Sequence, residues 1–387
     1  MAINDTADSV RTNANTSVSP SDWLGSAWQS ESTFHQLSPY IGKTKSSMAA
    51  SLVARFSKKG DTIYDPFAGC GTLAFEAWAA GRNIVATDLS PYANILTKAK
   101  LFPYRRIEEG QRDIERAAAL AATAKAAVDL RTIPRWVREF FHPETLREII
   151  AWNAVLTSQK RWFLLSCLLG ILHHQRPGFL SFPSSHTVPY LRVKKFPQIE
   201  YPELYEYRPL RDRLEAKLER AFRRVPNLDF SVWRHSVSKS ADAYRPPREV
   251  DTLISSPPYM RQLDYGRDNR LRLWFLGCFD WRGLDDSISP GQDEFLLLME
   301  KCFRKWRKVI RRNGYCVLVV GNECNREGRQ NLPFDVVQVA VEKVGGYSLV
   351  SQYSEAIPND RRVRRGLVGS TSETILVLRN LGESTES

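Results

Sequence analysis

Apolar positions recur along this chain with two different periods, and the switches between them mark its elements. Residues 48–56 carry apolar side chains at helical spacing and are broken by Lys58-Lys59-Gly60-Asp61. Thr62-Ile63-Tyr64-Asp65 is a short apolar run ending in an acid, which predicts a buried strand. Gly69-Cys70-Gly71 makes a turn, 72–80 resumes as a helix, and Ile84-Val85-Ala86-Thr87, closed by Asp88, reads as a second strand. Strand, loop, helix and strand in this order form a βαβ unit, so a parallel sheet is expected. The pattern changes near Leu101. Helical spacing covers 117–127, 143–156 and 162–173, and then 175–202 is irregular and rich in Pro, Ser and aromatics. Sheet signals return at Asp251-Thr252-Leu253-Ile254. A helix over 295–311, a strand over 315–320, a helix over 334–344 and closing strands at 347–353 and 373–378 follow. Residues 1–30 and 381–387 are polar and read as tails. The blocks are therefore 31–100, an inserted 101–234 and 235–380, the insertion being the candidate recognition region.

Composition narrows the class. Of 387 residues, 43% are apolar and 25% charged, ordinary for a globular chain and unlike a fibre or a disordered polymer. No run reaches the ~18 apolar residues of a spanning helix, and no secretory pattern opens the chain, so a soluble, cytoplasmic protein without membrane contact is expected. The formal net charge of +12 suits a polyanionic partner without proving one. Six cysteines lie apart, with no C-x-x-C pair and no zinc-type spacing, so reduced thiols and no metal are expected.

Candidate chemistry begins at Asp65-Pro66-Phe67-Ala68-Gly69-Cys70-Gly71-Thr72, which leaves a strand and opens a helix. Glycines there let backbone approach a ligand, and a helix start offers free N–H groups. Asp88, ending the next strand, can accept from two ribose hydroxyls, so a nucleoside-type cofactor is expected. The loop also fits G-x-G-x-x-G/A formally, which keeps a nicotinamide cofactor in view, and a tight turn packing a helix on a sheet explains the glycines without any ligand.

Ser256-Pro257-Pro258-Tyr259 follows an apolar strand directly. Two prolines fix the backbone and remove two donors, which leaves carbonyls and the Ser256 hydroxyl facing outward at the carboxyl edge of the sheet. A base's exocyclic amine is a poor nucleophile, because its lone pair is delocalised into the ring. Acceptors at Ser256 Oγ and the Pro257 carbonyl could hold both N–H groups and turn the lone pair toward an electrophile. Stacking on Tyr259 would hold the extruded base. A rigid turn after a strand is the plainer reading of the four residues taken alone.

The chain here resembles the amino-type S-adenosylmethionine-dependent DNA methyltransferases. The likeness rests on DPFAGCGT at 65–72, SPPY at 256–259, the lead-in HQLSPYIGKTKSSMA at 35–49 and the stretch 255–277. It implies a doubly wound, mostly parallel Rossmann-like α/β sheet with a largely helical insertion, and S-adenosyl-L-methionine as cofactor. By the same resemblance Asp65, Phe67, Gly69 and Gly71 line the methionine half of the cofactor, Asp88 holds the ribose, and Asp242 approaches the adenine. Pro66, Thr72 and Leu89 count with them, and Ser256, Pro257, Pro258 and Tyr259 act on the base. Serine in the first motif position implies cytosine N4, with adenine N6 next and RNA guanine N2 after it. The RNA enzymes usually carry a further N-terminal domain, and only 34 residues precede His35. A DNA-binding subunit that keeps the fold is the non-enzymatic reading. The implied partner is double-stranded DNA with a flipped base, in a restriction-modification setting with restriction or defence proteins as further partners.

Two basic stretches remain. Residues 301–312 hold seven Lys and Arg around Phe303, Trp306 and Ile310, which predicts a helix with an inward apolar stripe and a solvated basic face. Arg361, Arg362, Arg364 and Arg365 sit in a loop-like stretch and are candidate phosphate contacts. His173, His174 and His186 have no ligand partners at metal spacing and are assigned to packing or DNA contact.

Overall fold

The computed structural model describes residues 31–173, 179–182, 196–258, 265–288, 291–325, 328–329, 331–356 and 370–382. Its strands are β1 (Thr62–Asp65), β2 (Asn83–Asp88), β3 (Arg234–Ser238), β4 (Val250–Ser255), β5 (Ile310–Asn325), β6 (Gly328–Arg329), β7 (Tyr347–Ala356) and β8 (Ser370–Asn380). The sheet order is β3-β2-β1-β4-β5-β8-β7, and the short β6 pairs with β5 alone. Strands β3 to β5 along this path are parallel, whereas β8 runs antiparallel to both β5 and β7. This is the doubly wound, mostly parallel Rossmann-like sheet expected from the βαβ signal.

Alternation along each strand feeds two cores. Ile63, Ile84, Ile254, Val317 and Val319 enter one, and Tyr64, Val85, Leu253, Cys316 and Leu318 enter the other. Successive side chains on a strand point to opposite faces, so helices must cover both. The first face carries α1 (Ser46–Phe56), α2 (Thr72–Ala79) and α3 (Pro91–Leu101). The long segment after α3 folds as α4 (Ile107–Ala126), α5 (Arg135–Arg138), α6 (Pro143–Ser158), α7 (Trp162–Ile171) and α8 (Leu210–Ala221). These helices join the first core; Phe34 alone meets the rings of Phe75, Phe163 and Phe222 edge-on. After β4 come α9 (Tyr265–Asp268), α10 (Arg270–Phe275) and α11 (Trp281–Ile288), then α12 (Gln292–Trp306) and α13 (Leu332–Gln338). Helices α12 and α13 fill the second face with Phe295, Phe303, Trp306 and Val336.

Two expectations shift. The helix expected over 295–311 stops at Trp306, because the Val250 N–H takes the Val309 carbonyl and Ile310 pairs with Val250, which draws the chain into the sheet. Phe303 and Trp306 are buried as expected, while Ile310 is buried from β5. The 101–234 block also reaches into the sheet, since its last residue, Arg234, begins β3. None of the described helices is long and apolar enough to cross a membrane.

Candidate active site

The sheet path reverses its winding between β1 and β4, whose carboxyl ends are neighbours. Loops leaving such a pair depart in opposite directions and open a crevice at the sheet edge. The crevice here lies between the glycine loop after β1 and the proline turn after β4.

The glycine loop is held from three sides. Gly69 has φ +51 and Gly71 has φ +72, a region that side chains disfavour. A Cβ on Gly71 would stand 2.9 Å from the Thr97 Cα, so α3 sits directly behind the loop. The Thr97 hydroxyl donates to the Gly69 carbonyl at 3.0 Å, and the Ala68 N–H donates to the Thr87 carbonyl at 2.9 Å. Gly71 is the N-cap of α2 and gives it no side-chain cap, so the helix opens with backbone donors. Thr72 is buried in its first turn, its hydroxyl 3.4 Å from the Cys70 thiol.

Asp88 closes β2 beside this loop. Its carboxylate accepts from the Gly69 N–H at 2.8 Å and from the Ser90 N–H at 2.8 Å. The Leu89 N–H also faces the carboxylate, which leaves only part of its acceptor capacity for a ligand hydroxyl. Asp65 stands behind the loop, 2% exposed. Burial pushes the Asp65 carboxyl up to about 7 and the Asp88 carboxyl up to about 6. For Asp65 the Ser255 hydrogen bond opposes that rise and the neighbouring Asp88 charge adds to it; for Asp88 the backbone donors oppose it.

Asp65 and Ser255, 190 residues apart, join the two loops through one side chain. The Ser255 hydroxyl donates to Asp65 Oδ1 at 2.6 Å and accepts from the Phe67 N–H at 3.0 Å. Ser256 then begins the turn. Its hydroxyl donates to the Val319 carbonyl of β5 at 3.1 Å, so the expected outward orientation gives way to a fixed one, with lone pairs left over to accept. Pro257 is buried, and Pro258 reaches the crevice.

A cleft runs between these parts. Pro66, Phe67 and Gly69 of the glycine loop, Asp88 and Leu89 after β2, and Pro258 of the proline turn line it. Leu89 is 41% exposed there, an apolar side chain that a bound ring would cover. Lys239, Ser240 and Ala241 make the rim after β3. Asp242 lies just behind that rim, taking a hydrogen bond from the Ser240 hydroxyl. The structure thus brings Pro66, Phe67, Gly69, Asp88, Leu89 and Pro258 to one cleft, while Asp65, Gly71 and Thr72 support it from behind. Tyr259, Arg361, Arg362, Arg364 and Arg365 lie outside the described residues.

The 35–49 lead-in, which by the resemblance closes over the cofactor's methionine end, and the 255–277 stretch each bring to the cleft a tyrosine that sequence reasoning did not single out. Tyr40 and Tyr265 line the cleft with ring centroids 6.2 Å apart, and Ile288 and Leu298 add apolar surface. Tyr40 also covers Gly69, whose missing Cβ would lie 3.4 Å from that ring. The α9–α11 unit that carries Tyr265 is fastened by Asp285, which accepts from the Gly266 and Arg267 N–H groups at 2.5 and 2.9 Å. A largely apolar slot with the Asp88 carboxylate in its lining fits an adenosine-type cofactor such as S-adenosylmethionine.

Parts of the chain are similar to known proteins. Residues 38–128 match the family described as RMKL-like, methyltransferase domain. Over 70 residues the chain is 33% identical to the Type II methyltransferase M.MjaII of Methanocaldococcus jannaschii, which is 18% of this chain and 13% of that protein. Among solved structures it is similar to TrmN from Thermus thermophilus, at 11% identity and TM-score 0.37, covering 90% of this chain and 52% of that one. It is likewise similar to the rRNA methyltransferase aviRa from Streptomyces viridochromogenes, at 11% identity and TM-score 0.34 over 94% of each chain. The chain thus spans about half of TrmN and a small part of M.MjaII. Residues 38–128, which carry the glycine loop and β2, are thus similar to a methyltransferase domain, and they lie within a Rossmann-like sheet.

Proposed function

We propose that this protein transfers a methyl group from S-adenosylmethionine to the exocyclic amine of a DNA base, with cytosine N4 the preferred acceptor. The observation that carries the proposal is the placement of Ser256 and the proline turn at the switch point, one residue beyond a side chain bonded to the glycine loop. When bound, the cofactor supplies an electrophilic methyl group. The protein's own part is placement. Because Ser256 spends its proton on the Val319 carbonyl, it presents only acceptor lone pairs to an incoming amine. A carbonyl beside it in the turn can accept the second N–H. Holding both protons turns the nitrogen lone pair out of the ring plane, toward the cleft. Such positioning supplies much of the acceleration in transfers that need no enzyme-bound intermediate. The released proton passes to solvent.

Serine, which accepts without carrying charge, supports cytosine N4 over adenine N6 through the resemblance described above. The net charge of +12 supports a nucleic-acid substrate. The test is transfer of labelled methyl from S-adenosylmethionine to duplex DNA, with parallel RNA and with product nucleosides separated. N4-methylcytosine is the expected product. N6-methyladenine would overturn the base, label confined to RNA would overturn the substrate, and absence of transfer to any base amine would overturn the function.

A further inference from the structure

Ser255, rather than its neighbour in the motif, is the residue through which the cofactor loop and the base-binding turn share one hydroxyl. It is 1% exposed and ends β4. Its proton goes to the Asp65 carboxylate at 2.6 Å, and its lone pair takes the Phe67 N–H at 3.0 Å. Asp65 and Phe67 bracket the start of the glycine loop, and Phe67 is part of the cleft wall. On the other side Ser255 is covalently continuous with Ser256, whose own hydroxyl is fixed by Val319 of β5. The ladder between β1 and β4 joins Ile63 to Thr252 and Tyr64 to Leu253 and goes no further. Beyond that point the Ser255 side chain takes over the work of the backbone pairing, between a loop that holds the donor and a turn that holds the acceptor.

We propose that Ser255 is a positioning residue that sets the separation of methyl donor and amine acceptor by pinning the Phe67 wall and the Ser256 turn to each other. This rests on the function proposed above. Loss of the hydroxyl leaves the Phe67 N–H and the Asp65 carboxylate bonded to each other but no longer to β4, so the turn moves independently of the cleft wall. Both cofactor affinity and turnover respond, through one contact.

The test compares Ser255→Thr with Ser255→Val, which share a shape and differ by the hydroxyl. S-adenosylmethionine binding is read by calorimetry, and kcat and the DNA KM by methyl transfer. Ser256→Ala serves as the contrast. The valine variant is expected to bind S-adenosylmethionine about fivefold more weakly than the threonine variant and to turn over about tenfold more slowly, with the DNA KM unchanged, as befits the loss of one buried hydrogen bond. Ser256→Ala is expected to lose turnover while keeping cofactor affinity. Equal cofactor affinity in the threonine and valine variants, with both folded by melting, overturns the inference. Should the wild-type protein methylate no base amine, the proposed function fails, and the calorimetric difference still decides the role of Ser255 at the cleft wall.

Discussion

Alanine at Gly71 and alanine at Gly69 are the same chemical change two residues apart, and the structure separates their outcomes. At Gly71 the residue sits at φ +72, and the new Cβ would approach the Thr97 Oγ1 at 2.8 Å and the Thr97 Cα at 2.9 Å. The left-handed backbone costs an L residue about 1–2 kcal/mol. Pushing helix α3 away adds about 1–3 kcal/mol of overpacking strain. At Gly69, φ +51 carries the backbone cost, but the Cβ would meet only the Tyr40 ring at 3.4 Å, an ordinary contact. With an unfolding entropy near 2.1 cal/mol/K per residue, a chain of this size loses roughly 1 °C of melting temperature for each ~0.8 kcal/mol. Gly71→Ala should therefore melt about 4 °C below wild type and Gly69→Ala about 2 °C below, both by calorimetry at one scan rate. Cofactor binding should rank them the other way per degree lost, since Gly69 lines the cleft and Gly71 lies behind it. If Gly71→Ala melts with wild type while Gly69→Ala does not, α3 does not back the loop as described, and the account of the site's rigidity is wrong.

Further consequences follow from single contacts. Ser256→Ala should lower kcat about a hundredfold in the methyl-transfer assay, the usual scale for losing one oriented polar contact to the reacting group. An unchanged kcat would remove Ser256 from the reaction. Asp65→Asn keeps an oxygen for Ser255 and abolishes titration at a carboxyl pushed up to about 7 by burial. In the wild type, folded Asp65 holds its proton where the unfolded chain has released it, so its contribution to stability falls as pH rises from the ordinary carboxylate range through about 7. The melting temperature of Asp65→Asn relative to wild type should thus climb between pH 5 and pH 8, and a flat difference would show that Asp65 is ionised throughout. Gly170→Ala would put a Cβ 2.1 Å from the Leu37 carbonyl, between α7 and the chain that leads into the site. It should destabilise by about 3 kcal/mol in urea unfolding, and a neutral result would separate the insertion from that segment. DNA affinity, if several phosphates are neutralised, should fall steeply and linearly in a plot of log K against log salt.

What the chain discloses in advance depends on whether a signal is local. The β1–α2–β2 unit was legible because Ile63, Tyr64, Ile84 and Val85 are buried on both faces and glycines punctuate the turn between them. Strand β3 was not, because Arg-His-Ser-Val-Ser is an edge strand with half-exposed residues and therefore no apolar run to read. The helices after α3 announced themselves by their period, yet nothing local says that Phe163 and Phe222 pack on Phe34 and thereby share one core with β1 and α2. The same holds at the site. Tyr40 and Tyr265 meet over the cleft from segments far apart, with no spacing to link them.

The bond between Ser255 and Asp65 shows why a motif read alone understates its neighbours. Four residues at 256–259 draw attention because their types are unusual together, whereas a serine ending an apolar strand is unremarkable until the strand order is known. Only the placing of β4 against β1 turns that serine into a bridge. The order itself follows from the crossover. Having laid β1, β2 and β3 outward in one direction, the chain must return past β1 to begin the other half, and the first strand it lays there is β4. Any pair of loops leaving β1 and β4 at their carboxyl ends is then forced to face one crevice. The glycine loop after the first strand and the proline turn after the fourth are consequently brought together by topology, and what remains for individual side chains is to set the last few ångströms between them.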